Sequence, residues 1–276
     1  MTEQQRSAAF ALMGSSLSAK GLKLSQDIMK LNYTLGEINN DFARYDEWMY
    51  WITIMGEPST TEPWGWQVDG HHLIINYFVL GDQVVMSPVF IGSEPVIAET
   101  GKYKGITILQ DEQNMGLKML LALNENQRKE AVLQVTKEGN NNLAEAFKDN
   151  IVLDYAGTKV SAFSKEQKDL LRMLIRLYID NMDKGHAQIK MSEVDKYLDQ
   201  TYFAWIGASD EQSVYYYRIY SPVILIEFDH QKPVGTTKLY GTAPHSQHIH
   251  AVIRTPNGND YGKDLLRQHY LEHPHD

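Results

Sequence analysis

Strand-type texture occupies both ends of this 276-residue chain, while the stretch between them reads as helix, so distant segments must complete one sheet. Residues 50–55 are β-branched and aromatic, and Gly56-Glu57-Pro58 marks a turn. Residues 71–80 read as a strand that Gly81-Asp82 links tightly to a second strand at 83–91, a hairpin by pattern. Strand texture resumes at 203–206, 214–220 and 223–228 and ends at 248–254. The expected fold is α+β, with an antiparallel sheet built from N- and C-terminal strand groups around a helical middle.

The helical parts carry their own signals. Phe10, Leu12, Met13, Leu17, Leu22 and Leu24 give residues 8–31 a helical pattern with an expected break near Gly21. Met115, Met119 and Leu123 repeat at helical spacing, and Asn124 is placed to cap a further helix through 135. Ser164 and Gln167 form a capping box ahead of Leu170, Leu171, Leu174, Ile175 and Tyr178. After Pro256-Asn257-Gly258, a last helix is expected over 260–270. The whole is read as one domain: N-terminal helix 1–45, strand group 50–95, helical segment 110–200, and a strand group with the final helix at 203–276.

Composition removes several functions. A net charge of −9 argues against nucleic acid and anionic membrane surfaces as partners, both of which need excess Lys and Arg, and favours a small-molecule substrate. Nowhere do roughly 18 apolar residues run together, so no membrane span is expected. With Met1 as the native start, the expectation is a soluble, cytoplasmic chain. Neither a Gly-x-Ser-x-Gly elbow nor a phosphate-binding glycine loop is present, which weakens nucleophilic hydrolase and nucleotide chemistry. Cysteine is absent, so any metal must be held by nitrogen and oxygen donors.

Histidine supplies the strongest chemical signal. Seven of the ten histidines fall between His230 and His275, and His248-Ile249-His250 places two on one face of a strand. Ile249, Ala251 and Ile253 form the opposite, core-directed face, and Arg254 shares the histidine face. If residues 223–229 form the neighbouring strand, Glu227 or Asp229 can meet these imidazoles. Gly70-His71-His72 offers a third ring. His72 is preferred because Asn76 shares its face, whereas His71 aligns with Leu73, Ile75 and Val79. A solvated polar strand is the plain competing explanation, although two histidines and an arginine are unusual residues for one. His186, His230, His273 and His275 read as surface, His245 sits in a loop with no assigned partner, and Trp64, Trp66 and Trp205 read as core more than cleft.

The combined motifs resemble the bacterial domain-of-unknown-function 3500 family. They are Pro63-Trp64-Gly65-Trp66, Gly70-His71-His72-Leu73, residues 216–229, His248-Ile249-His250 with Arg254, Tyr261-Gly262, Asp264-Leu265-Leu266 and His269-Tyr270. The resemblance runs from about residue 50 onward and marks His71, His72, Glu227, Asp229, His248, His250, Arg254, Asp264 and His269 as motif positions. Gln247 and Thr255 depart from the pattern, which has Asn and an acidic residue there. The resemblance implies no particular activity.

These readings converge on a metal-dependent enzyme for a small polar or anionic organic substrate. His72, His248 and His250, with His71 as the alternative to His72, would hold a divalent ion. Zinc is favoured, and iron, copper and manganese accept the same donors. Glu227 would be a fourth ligand or the general base, Arg254 would bind substrate, and His269 would move a proton. Hydrolysis by metal-activated water is the default reaction. Iron or copper would direct the same ligands to oxidative chemistry. A non-catalytic module that binds a ligand or a protein, with structural histidines, is the third expectation.

Overall fold

The computed structural model describes residues 1–145, 147–148, 151–210 and 212–273. Two helices, α1 (Glu3–Ser16) and α2 (Ala19–Asn39), lead into strands β1 (Tyr50–Met55), β2 (Trp64–Gly70), β3 (Leu73–Leu80) and β4 (Gln83–Ser93). The middle holds α3 (Gln110–Leu121), α4 (Glu125–Ala131), short β5 (Val132–Gln134) and β6 (Thr158–Lys159), then α5 (Lys165–Ile179) and α6 (Lys184–Lys196). The last part contains β7 (Tyr202–Gly207), β8 (Tyr215–Tyr220), β9 (Leu225–His230), α7 (Thr237–Tyr240), β10 (Ile249–Arg254) and α8 (Lys263–Glu272).

Among the described residues the strands form one ten-stranded sheet in the order β1-β2-β3-β4-β10-β9-β8-β7-β5, with β6 also paired to β7. All pairs are antiparallel except β5 with β7. The α+β expectation therefore holds. Strand β10 is the seam: it pairs with β4 from the first strand group and β9 from the second.

One face of the sheet is covered by helices. Ile249 and Ala251 of β10, with Ile226 and Phe228 of β9, share a hydrophobic core with Ile28 and Leu31 of α2 and Leu171, Leu174 and Ile175 of α5. Trp66 and Trp205 are fully buried in it, as a core reading of the tryptophans requires. The other face is polar near its centre and is crossed by the strap at 135–157, whose described residues form neither helix nor strand. Ala144 of the strap packs on Tyr220 and Leu225.

Local signals mostly fall where the side chains dictate. The Ser164 and Asn124 caps each form both bonds of a capping box. The Gly81-Asp82 link is a two-residue hairpin turn with Gly81 at φ +61°. Several boundaries differ from expectation, His248 lying one residue before β10 among them. The N-terminal helix breaks at Leu17 and Ser18, where Ser18 caps α2 through its hydroxyl. Gly21 lies inside α2, where a Cβ would meet the Asn181 carbonyl oxygen at 2.1 Å, so its role is close helix packing. The helix begun at Asn124 stops at Ala131, because the chain then joins the sheet edge beside β7. Strand β3 starts at Leu73, leaving His71 and His72 as the turn of the β2–β3 hairpin.

Candidate metal centre

The hairpin turn decides which histidine reaches the sheet centre. Gly70 pairs with Leu73, and His72 adopts φ +63°, the left-handed conformation of a tight turn. The His72 carbonyl accepts the Gly92 N–H at 2.9 Å, pinning the turn to β4. His72 is therefore selected over His71 by turn geometry, not by the strand alternation used to argue for it. Across β4, Gly92 sits opposite His250. A Cβ there would lie 2.4 Å from the Ile249 carbonyl oxygen and 3.3–3.4 Å from ring carbons of His250 and His72. Glycine leaves the room these rings occupy.

The three imidazoles meet through their Nε2 atoms. His72 lies 3.2 Å from His248 and 3.1 Å from His250, and the latter two are 3.0 Å apart. With metal–nitrogen bonds of about 2.0–2.1 Å, tetrahedral ligands sit about 3.3–3.4 Å apart and ligands at right angles about 2.9 Å apart. The observed triangle falls between these limits. Burial pushes His72 and His250 well below the usual histidine range, with further lowering by neighbouring imidazoles. Burial also lowers His248, against the opposing pull of Glu94. The rings are thus neutral, the form that binds metals.

Proton bookkeeping makes the triangle informative. The Lys232 carbonyl can only accept, so His248 must donate to it from Nδ1 at 2.8 Å, and its Nε2 carries a lone pair. If His72 and His250 both hold their protons at Nε2, two N–H groups confront each other. If neither does, three lone pairs converge, and if only one does, its single N–H serves a neighbour while the other two lone pairs still face each other. A cation shared by three Nε2 lone pairs removes the conflict, so the donor set fits a divalent ion. Ligation through Nε2 places the His250 proton on Nδ1, which is buried with no hydrogen-bond partner among the described residues, so the ion relieves the triangle but not this nitrogen.

Glu94 supports this arrangement from behind. One of its oxygens lies 3.5 Å from His248 Nδ1, and the other accepts from the backbone of Val234 and Thr236 and from the Thr236 hydroxyl. Burial raises its pKa, yet His248, the Thr236 hydroxyl and backbone N–H groups together leave it below the usual value. Sequence reading missed both Gly92 and Glu94. Their distance from any histidine along the chain hid the connection.

A family model described as Protein of unknown function (DUF3500) matches residues 1–263. The chain belongs to the DUF3500 family. No curated protein and no solved structure matches it. The DUF3500 match takes in the N-terminal helices, beyond the resemblance noted from residue 50, and stops before Asp264 and His269.

The other residues expected in this DUF3500 centre lie elsewhere. His71 is not in the triad: its ring packs against that of His72 with centroids 3.9 Å apart, its Nδ1 lies 2.7 Å from Asn32 Oδ1, and its carbonyl accepts from Tyr50. Glu227 is neither ligand nor base in this geometry. Although β9 does neighbour β10, Glu227 stands opposite Val252 and accepts from the Leu143 and Ala144 N–H groups at 2.7–3.0 Å and from the Tyr216 hydroxyl at 2.5 Å. Arg254 is buried against its own chain. It donates to the carbonyls of Ala144, Glu145 and Lys148 and pairs with Asp260 at 2.7 Å. Asp229 pairs with Lys137 at 2.6 Å and receives the Asn141 N–H and the Gln231 amide. Burial pushes its carboxyl up to about 7 against the pull of Lys137.

These charges share one task, because each holds the strap against the sheet. A carboxylate in an apolar run signals a buried partner, and here the partner is backbone, which has no sequence signature. His269 is also remote from the triad, with its Nε2 3.7 Å from Glu62 and its ring beside His273. His230, read as surface, is fully buried. His186 lies 3.3 Å from the Tyr77 hydroxyl, and His245 stacks on Tyr240. His275 lies outside the described residues.

Proposed function

We propose that this DUF3500 protein is a divalent-metal enzyme whose ion is held by His72, His248 and His250, and that it acts on a small polar or anionic organic substrate, hydrolysis being the favoured reaction. The observation that carries the reading is the count and chemistry of the donors. Among the described residues three Nε2 atoms converge and no carboxylate joins them. Structural zinc sites are closed by four protein ligands, whereas catalytic ones use three and keep a position open. An ion held there would supply Lewis acidity and acidify water to near neutrality.

The protein's own residues would do the positioning. Lys232 and Glu94 fix the tautomer and orientation of His248, and the Gly92 bond to the turn fixes His72. Zinc fits a set of neutral imidazoles without cysteine, and iron, copper and manganese accept the same donors.

The removal of Glu227 and Arg254 to the strap favours a second reading, a non-catalytic metal-binding module, because no base or substrate clamp remains beside the triad from that set. Chelation separates the two. In an enzyme, stripping the ion abolishes metal-dependent turnover of a panel of small esters, amides and phosphoesters, restoring the ion returns it, and circular dichroism shows the fold intact throughout. Loss of the fold on stripping, without turnover by the loaded protein, supports the binding module instead.

A further inference from the structure

A cavity of about 580 Å³ lies away from the triad, at the Thr255 end of β10. The strand rise of about 3.3 Å per residue separates that end from His250 by roughly 17 Å. Side chains from four parts of the chain line it, the apolar Val84, Met182, Val223 and Leu265 among them, together with the charged Asp82, Glu193, Lys196 and Asp264. Its volume is that of a pocket for a drug-sized molecule. A small inner recess of about 30 Å³ shares Met86, Met182, Lys190 and Thr255 with the main cavity and is lined also by Asn181.

Asn181 is 7% exposed, and its Oδ1 is buried with no hydrogen-bond partner among the described residues. A buried acceptor without its bond is costly, and a native fold seldom leaves one uncompensated. Its backbone position is set by other needs: the Asn181 carbonyl accepts from Ser18 N–H and packs against Gly21. Beside it, the Lys190 ammonium donates to the Val223 carbonyl at 3.0 Å and to Glu193 at 2.9 Å. An ammonium has three N–H donors, so one remains.

We propose that this cavity is a second, small-molecule site that takes an uncharged ligand with a hydroxyl head and an apolar body. The head reaches the recess, where it donates to Asn181 Oδ1 and accepts from Lys190, and the body lies over Met86, Met182 and Val223. A carboxylate cannot donate to Asn181. An ammonium cannot accept from Lys190 and is repelled by it. A hydroxyl does both, which is the basis of the selectivity.

The test uses the full chain and three probes that share one apolar body: 2-phenylethanol, 2-phenylethylamine and phenylacetate. Calorimetry and ligand-observed NMR are expected to show saturable one-to-one binding of the alcohol, with the amine and the acid weaker by roughly ten-fold or more. Asn181→Leu and, independently, Lys190→Met are each expected to remove that preference. His248→Ala should leave it untouched, since the site does not depend on the metal. Equal affinities for the three probes, no saturable binding, or a crystal structure with only a water on Asn181 and the alcohol elsewhere would overturn the proposal.

Discussion

His248 donates its Nδ1 proton to the Lys232 carbonyl at 2.8 Å, and that bond leaves the lone pair on Nε2, which faces His72 and His250. Glu94 stands 3.5 Å from Nδ1 and favours the same tautomer. Glu94→Gln, which keeps the shape and removes the charge, is therefore expected to weaken metal affinity by about 10–100-fold without changing the number of ions bound. Competition with a chromogenic chelator measures this, and an unchanged affinity would show that the carboxylate does not tune the site.

Arg254 is expected to matter for stability and not for metal. Its side chain is 1% exposed and serves three strap carbonyls and Asp260. Arg254→Met leaves those groups buried without their cation, which costs about 3–5 kcal/mol. Denaturant unfolding should show the loss, and limited proteolysis should cut the strap at 135–157 sooner. Metal content should match that of the parent protein. Loss of metal with unaltered stability would return Arg254 to the centre from which the geometry separates it.

Much of this architecture could be read from residue pattern alone, and the failures have a common cause. Alternation in β10 put His248 and His250 opposite the core-facing Ile249, Ala251 and Ile253, because burial of one face enforces that period. Capping at Asn124 and Ser164 was legible because side chain and backbone are three residues apart. The strap contacts of Glu227 and Arg254 were not legible because these partners are carbonyl and N–H groups, identical at every residue. His72 meets His248 and His250 from a turn, not from the strand used to argue for it, and a left-handed histidine leaves little trace in sequence.

His230 gives the fold a pH dependence separate from the triad. Its Nδ1 accepts the Tyr215 N–H at 2.9 Å and its Nε2 lies 2.8 Å from Gln113 Oε1, so the neutral ring satisfies both contacts. Burial, with lesser contributions from Lys137 and His245, lowers its pKa to about 3. The unfolded chain, with a histidine pKa of about 6.5, takes up the proton first. The stability gained is full above that value and is lost as pH falls from it toward 3, at up to about 1.4 kcal/mol per pH unit. Unfolding free energies between pH 7 and 5 should fall less steeply in His230→Asn, whose side-chain oxygen can still accept from Tyr215. Parallel slopes in the two proteins would contradict the assignment.

The central proposal is one ion shared by three neutral imidazoles. Elemental analysis of tag-free protein, before and after equilibration with zinc, should find about one ion per chain, as expected for a three-ligand centre with an open position. The count should fall to background in a chain carrying His72→Ala, His248→Ala and His250→Ala. Protein that takes up no ion under these conditions, or that binds as much after the three substitutions as before, would contradict the metal centre.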